Sequence, residues 1–444
     1  MRTCLIVALP LLASSILGAC GAEPPEARPP NIVMIIGDDA GYTDFGFMGS
    51  PYAETPNLDR LAEEGFLFTH GFSSASMCRP ALRSLLTGFD PYQWNHHMRQ
   101  LSAAEMMRGI RNFTTLPTLL AERGYTSFEA GKFWEGSDAA AGFSAGMHGP
   151  DAPDLGGTPE KTIGRVTMQP VFDFLDANAD GPFFLWFAPM LPHLPHDAPD
   201  RFRALYDHPE LTRFARAYYA NVSWLDDVVG QLLAFLDDAG LREETLIVYL
   251  TDNGWDQEPR GSRLIPLRDG PRGKQTLHEL GLRTPIIFHW PGRIPAGERN
   301  ASLVSILDIF PTLLDYADVA TPAGRPGRSL RPLLEGEAMP TRERIVNWMA
   351  RSRTSSERPR TGVDPWLNAD PAFALRNDEW RYVWHPDDDH ERLYHVASDP
   401  GERREVSWKH PELLTRFREE IAAWRDEMER PFADPGDVAP AAGR

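Results

Sequence analysis

Three cysteines in 444 residues leave no room for a disulfide scaffold. Cys4 lies in an apolar leader, Cys20 closes that leader, and Cys78 stands alone in the body of the chain. With Cys4 lost with the leader and Cys20 expected to carry a lipid, Cys78 is left alone and no intrachain bridge is possible. Basic residues are also short: 45 Lys and Arg face 63 Asp and Glu, for a net charge of −18. That balance argues against a nucleic-acid partner but not against an anionic substrate held in a local positive pocket. No apolar run is long enough to span a bilayer. The 40 prolines and 36 glycines imply many loops. Length allows two domains, or one large α/β domain with an appendage.

The first 19 residues read as a secretory signal: Arg2, an apolar stretch, then Leu17-Gly18-Ala19-Cys20. A cysteine after Leu-Gly-Ala resembles a bacterial lipobox, so Cys20 is expected to carry a lipid and to begin the mature protein. Ordinary cleavage with an incidental Cys20 is the alternative. Residues 20–30 are Pro-rich and read as an extended tether. The expectation is an exported, membrane-anchored lipoprotein on the periplasmic or cell-surface side of a bacterial membrane.

Continuous apolar runs at 31–37, 183–188, 245–250 and 284–290 read as buried strands, with a shorter one near 126–130. Amphipathic helices are expected at 57–65, 116–124, 217–240 and 306–317. This alternation predicts an α/β fold, a large, mostly parallel sheet with helices on both faces, over residues 31–335. Beyond it the pattern changes. Short strands at 344–349, 373–376 and 380–385, followed by a charged amphipathic helix at 410–430, predict a smaller antiparallel sheet with a packed helix over 336–431. Residues 432–444 read as a disordered tail.

Two acidic pairs follow buried strands directly: Asp38-Asp39 and Asp252-Asn253. Ligands bind at the carboxyl ends of strands in open α/β sheets. Gly37 and Gly254 are expected to supply the chain breaks that let each pair converge. Three carboxylates and an amide oxygen form a hard oxygen set suited to calcium or magnesium rather than zinc. Cys78 precedes Arg79-Pro80, and Gly88 closes the stretch. With Pro80 as the first helical residue, Cys78 lies at a helix N-terminus, where exposed N–H groups favour an anion.

Many short motifs then fall in one order: NIVMIIGDDAGYTDFG, TPNLDRLAEEGFLFTHGF, MCRPALRSLLTG, GYTSFEAGKFWEG, PHLP, TDNG, RGKQTLHELGLRTPIIFHWPGRIPAG and LYHVASDPGE. Together they resemble the sulfatase family of the alkaline-phosphatase-like superfamily, from about residue 31 to 405. The resemblance implies an alkaline-phosphatase-like α/β/α sandwich and sulfuric ester hydrolysis. It implies that a maturation enzyme oxidises Cys78 to formylglycine, whose hydrate attacks sulfur. Asp38, Asp39, Asp252, Asn253 and the modified Cys78 would hold calcium, with magnesium the lesser fit. Lys132 and Lys274 would stabilise charge on the sulfate and leaving oxygen. His193 would protonate the leaving group, and Asp252 could act as a base. The substrate would be a sulfated small molecule or glycan.

Two positions depart from the family pattern. Its Cys-x-Pro-x-Arg signature has Leu82 in place of the arginine, with Arg83 one residue later. Its Gly-Lys-Trp-His strand reads Gly131-Lys132-Phe133-Trp134, without the histidine. Three readings follow: a divergent sulfatase, a metal-dependent phosphoester or phosphonate hydrolase using unmodified Cys78, and an inactive lipid-anchored binder of sulfated glycans. Intact Lys132, His193, Lys274 and metal positions argue against the third.

Overall fold

The computed structural model describes residues 28–149, 161–255, 272–351, 370–386 and 390–430. The leader, Cys20, most of the tether and the tail lie outside the described residues. Among the described residues, no helix is long and apolar enough to cross a membrane.

The large sheet is built from β1 (Asn31–Gly37), β2 (Phe66–Phe72), β3 (Thr126–Gly131), β4 (Ala145–Gly146), β5 (Phe183–Ala188), β6 (Thr245–Thr251), β7 (Arg283–His289), β8 (Glu298–Asn300) and β9 (Val304–Ser305). The order is β4-β3-β5-β1-β6-β7-β2-β8, with β9 also pairing with β2. The pairs β3–β5, β5–β1 and β1–β6 are parallel, while β7 runs antiparallel to both its neighbours.

The apolar runs are continuous because both faces of the sheet are covered. In β1, Ile32, Met34 and Ile36 pack on one side with helices Cys78–Thr87, Leu116–Ala121 and Ile309–Tyr316. Val33 and Ile35 pack on the other with helices Pro56–Glu64, Gln169–Ala177 and Arg213–Asp238. The alternation follows from the two-residue side-chain period of a strand.

The second sheet has the order β10 (Ile345–Arg351), β11 (Asp370–Arg376), β12 (Trp380–His385) and β13 (His390–His395), all antiparallel. Helix Pro411–Met428 covers one face through Phe417, Ile421 and Met428, against Phe373, Leu375, Tyr382 and Leu393. The other face packs Ile345, Ala372, Ala374 and Val383 onto Phe72, Leu277 and Leu282 of the large-sheet region. Both expected sheets are therefore present. Strands β2 and β13 were not expected, because FLFTHGF and HERLYH interrupt their apolar residues with polar ones.

Candidate active site

Four adjacent strands, β3-β5-β1-β6, end at one edge, and the loops leaving them carry Lys132, His193, Asp38-Asp39 and Asp252-Asn253 in that spatial order. Main-chain bonds bind these loops together. Lys132 N–H donates to Ala188 O at 2.6 Å, Asp38 N–H to Leu191 O at 2.8 Å, and Asp252 N–H to Gly37 O at 3.0 Å.

The breaks are not made as the glycines implied. Gly37 is still strand. It is Asp39 that turns the chain, with φ +62°, a conformation a non-glycine residue holds only at some cost. Gly254 serves close approach instead. Its N–H donates to Gly281 O at 3.0 Å, and a Cβ there would sit 1.7 Å from the Leu280 carbonyl oxygen. This contact brings the end of β6 against the loop before β7, which holds Lys274.

Asp38, Asp39, Asp252 and Cys78 each place one ligand-capable atom within 4.8 Å of the others, and all four are buried. Cys78 Sγ lies 3.4 Å from Asp39 Oδ1 and 3.8 Å from Asp38 Oδ1. Lys132 Nζ pairs with Asp38 Oδ1 and lies 3.5 Å from Asp252 Oδ2. Lys274 Nζ donates to Asp39 Oδ2 at 2.6 Å, and Asn253 Nδ2 donates to Asp39 Oδ1 at 2.6 Å. His193 Nε2 stands 3.5 Å from Asp39 Oδ2. The structure thus brings together every sequence-predicted site residue: Asp38, Asp39, Cys78, Lys132, His193, Asp252, Asn253 and Lys274.

Three carboxylates against two ammonium groups leave negative charge in a buried space, and the titration directions reflect it. Burial pushes the Asp39 carboxyl up, but Lys274, Lys132 and His193 together outweigh it and hold it well below the ordinary range. Burial takes Asp252 up to about 6, with Lys132 opposing and Asp38 and Asp39 adding to the rise. Burial, then Asp252 and Asp39, push the Cys78 thiol far above its usual value. Asp38 Oδ2, Asp252 Oδ2 and Asn253 Oδ1 are buried oxygens that accept no hydrogen bond. Buried oxygens without partners are costly. Hard divalent cations take such oxygens as ligands, so the donor set fits calcium or magnesium.

Cys78 is the first residue of its helix, and Pro80 is the third rather than the first. Pro80 is tolerated because first-turn N–H groups have no intrahelical acceptor. The turn closes when Ala81 N–H bonds Met77 O at 3.2 Å. Leu82 is buried in the apolar core. Arg83 faces Glu135: its Nε donates to Glu135 Oε1 at 2.7 Å, and its guanidinium lies 4.7 Å from the Trp94 ring. Arg79 reaches the same Glu135 through two bonds, at 2.8 and 3.2 Å. Both arginines around the departure therefore converge on one buried carboxylate, three residues after Lys132. Trp134 lies with its ring 4.7 Å from Lys132 Nζ, and its buried Nε1–H has no partner.

The loop bearing His193 is clamped by its carbonyls. Arg165 donates to Met190 O at 2.8 and 3.1 Å and to His193 O at 3.1 Å, and it pairs with Asp197. Asn221, from helix Arg213–Asp238, donates to Pro195 O at 3.1 Å. His193 Nδ1 is 2.7 Å from Leu194 O, which places a proton on Nδ1, and Nε2 points toward Asp39. Sequence inspection found none of Glu135, Arg165 and Asn221. A polar residue whose partners are distant in the chain leaves no local pattern.

The family model described as "Sulfatase" matches residues 30–319, and a second, described as "N-sulphoglucosamine sulphohydrolase, C-terminal", matches 270–427. The chain is 31% identical to N-acetylgalactosamine-6-sulfatase of Canis lupus familiaris over 475 residues, covering 91% of this chain and 86% of that one. Among solved structures, one in complex with its substrate D-glucosamine-2-N,6-O-disulfate aligns with a TM-score of 0.70 at 17% identity, covering 93% of this chain and 100% of that one. The phosphonate monoester hydrolase of Agrobacterium radiobacter aligns with a TM-score of 0.69 at 19% identity, covering 90% and 96%.

Proposed function

The chain belongs to the sulfatase family, and on that premise we propose that it hydrolyses an aryl or carbohydrate sulfate ester at a formylglycine made from Cys78. The observation that supports this most is the single buried cluster joining Cys78, three carboxylates, the Asn253 amide, two lysines and His193. Phosphoryl- or sulfuryl-type transfer needs positioning and charge neutralisation more than covalent help from many groups.

In this reading Cys78, once oxidised to the aldehyde and hydrated, supplies the oxygen that attacks sulfur. The ester oxygen leaves with its bonding electrons and takes a proton, for which His193 Nε2 is the nearest imidazole donor at the site. Lys132 and Lys274, already ion-paired with Asp38 and Asp39, stabilise the charge gathering on the sulfuryl oxygens. Asp38, Asp39, Asp252 and Asn253 would hold calcium, which when bound acts as a Lewis acid toward sulfate oxygen. The canine relative is named for a sulfated sugar and a solved neighbour holds a sulfated glucosamine, which supports a carbohydrate ester as substrate. Export and lipidation at Cys20 belong to the same proposal, as does a maturation enzyme acting on Cys78.

The test is mass spectrometry of the peptide carrying Cys78, after expression with a maturation enzyme, alongside sulfate release from a panel of esters. Aldehyde at Cys78 with turnover abolished in Cys78→Ala is expected. A persistent thiol with turnover of phosphate but not sulfate esters would sink the proposal in favour of phosphoester hydrolysis.

A further inference from the structure

Among the described residues, four large apolar side chains are well exposed: Met107, Val166, Leu205 and Trp408. Trp408 is the aromatic one, and 75% of it faces solvent. An indole is the largest apolar side chain and is normally mostly covered. Trp408 sits in the short turn Ser407–Lys409, in the segment that follows β13.

The same segment turns its positive charge outward. Arg403, Arg404 and Lys409 are exposed, and Lys409 Nζ lies 4.9 Å from the Trp408 ring. Its acids make local hydrogen bonds. Glu402 is buried and accepts from Glu279 N–H at 3.0 Å, with His278 at 3.1 Å. Glu405 accepts from Leu393 N–H at 3.2 Å and Ser407 N–H at 2.6 Å. Of the flanking acids, Asp399 accepts from Arg404 N–H, and Glu412, itself exposed, lies 3.5 Å from His410. Three exposed cations thus lie within five residues of an exposed indole, with Lys409 against its ring, on a chain of net charge −18.

This segment is also tied to the candidate active site. Arg272 donates to the carbonyls of Gly401 and Glu402. Arg272 lies two residues before Lys274, in the loop that Lys274 N–H fastens to Trp255 O at 2.9 Å. The segment bearing Trp408 and the loop bearing Lys274 are therefore one bonded unit.

We propose that Trp408, with Arg403, Arg404 and Lys409, is a docking site for the chain of a sulfated polysaccharide. The flat indole face stacks on the apolar face of a sugar ring, and the three cations pair with sulfate groups along the polymer. A neutral glycan would use the ring but not the cations, and a small aryl sulfate would use neither. The inference rests on the sulfatase reading and deepens it: the substrate is polymeric.

The test uses the full-length matured protein. Mobility is measured by electrophoresis in gels containing chondroitin sulfate, heparin or carrageenan, with hyaluronan as the unsulfated control. Wild type is expected to be retarded by at least one sulfated polymer and not by hyaluronan. Trp408→Ala is expected to lose about tenfold or more in apparent affinity, as for a single aromatic anchor, and Trp408→Phe to recover much of it. Sulfate release is measured in parallel: KM for the retarding polymer rises in Trp408→Ala, while kcat/KM for 4-nitrophenyl sulfate is unchanged. Equal retardation of wild type and Trp408→Ala overturns the proposal. So does equal loss on polymer and small ester, or Trp408-dependent binding to phosphatidylglycerol vesicles with no retardation by any sulfated polymer. If wild type releases no sulfate yet shows Trp408-dependent retardation, the catalytic reading fails and the docking site stands.

Discussion

Arg165 holds His193 by its main chain, donating from Nη2 to the His193 carbonyl at 3.1 Å while its side chain is only 6% exposed. The imidazole that faces Asp39 is thereby placed from behind, through its own main chain. Arg165→Ala should reduce kcat/KM more for esters of poorly acidic alcohols than for nitrophenyl esters, because only the former need a proton as they leave. A loss of about 10- to 100-fold on the poor leaving group is expected. The loss should disappear in a His193→Asn background, where the two changes share one cause. An equal loss on both esters would mean that Arg165 supports the fold alone.

Glu135 takes both Arg79 and Arg83, with its side chain 3% exposed. Glu135→Ala leaves two guanidinium groups without their shared carboxylate. Breaking a buried pair from one side costs about 3–5 kcal/mol. Calorimetry should show a clear fall in Tm, and Glu135→Gln, which can still accept hydrogen bonds, should lose less. An unchanged Tm in Glu135→Ala would contradict the geometry.

Removing divalent metal should destabilise the protein, since a ligand bound only to the folded state adds to its stability. Elemental analysis should find bound calcium or magnesium, and EDTA should lower Tm. Asp39→Asn and Asp252→Asn should bind less metal and respond less to EDTA. A wild-type Tm indifferent to EDTA and to added calcium would count against Asp38, Asp39, Asp252 and Asn253 as a metal cradle.

Asp90 predicts a pH effect far from that cradle. It caps helix Pro91–Met98, accepting from Tyr92 N–H at 2.8 Å, and burial pushes its carboxyl from 3.8 up to about 7. A carboxyl raised on folding keeps its proton in the native state after the unfolded chain has lost it. Its contribution is whole below pH 4 and is lost as pH rises toward 7, at about 1.4 kcal/mol per pH unit. Asp90→Asn keeps the cap without the titration. The stability of Asp90→Asn relative to wild type should therefore increase from pH 4 to pH 7, by chemical denaturation at each pH. A constant difference would refute it.

Local patterns made part of this site legible. An apolar run ending in Asp38-Asp39, and another in Asp252-Asn253, mark strand ends without any partner being known. Cys78 at a helix start follows from Pro80 and Gly88, although the helix begins two residues earlier than Pro80 implied. Lys132, His193 and Lys274 were legible only through resemblance, because a single lysine or histidine has no periodicity. The order β3-β5-β1-β6, which sets these loops side by side, depends on pairings far apart in the chain. So do Glu135 and Arg165, whose partners are chosen by tertiary packing. Asp39 shows the limit most clearly: the turn was assigned to Gly37, yet the aspartate itself adopts the left-handed backbone.

The buried charges between the two sheets have a genetic consequence. Glu279, just after the Lys274 loop, is held by Arg376 and Arg381 at 2.7 Å each. Burial opposes its ionisation, but Arg381, Arg376 and Arg283 bring its carboxyl down to about 2. Glu402 reaches back to the Glu279 N–H. A premature stop anywhere between 336 and 376 would spare every residue of the cluster around Cys78 and still strip Glu279 of both Arg376 and Arg381. Nonsense alleles in that stretch should therefore behave as full losses of function, not as enzymes with a missing accessory.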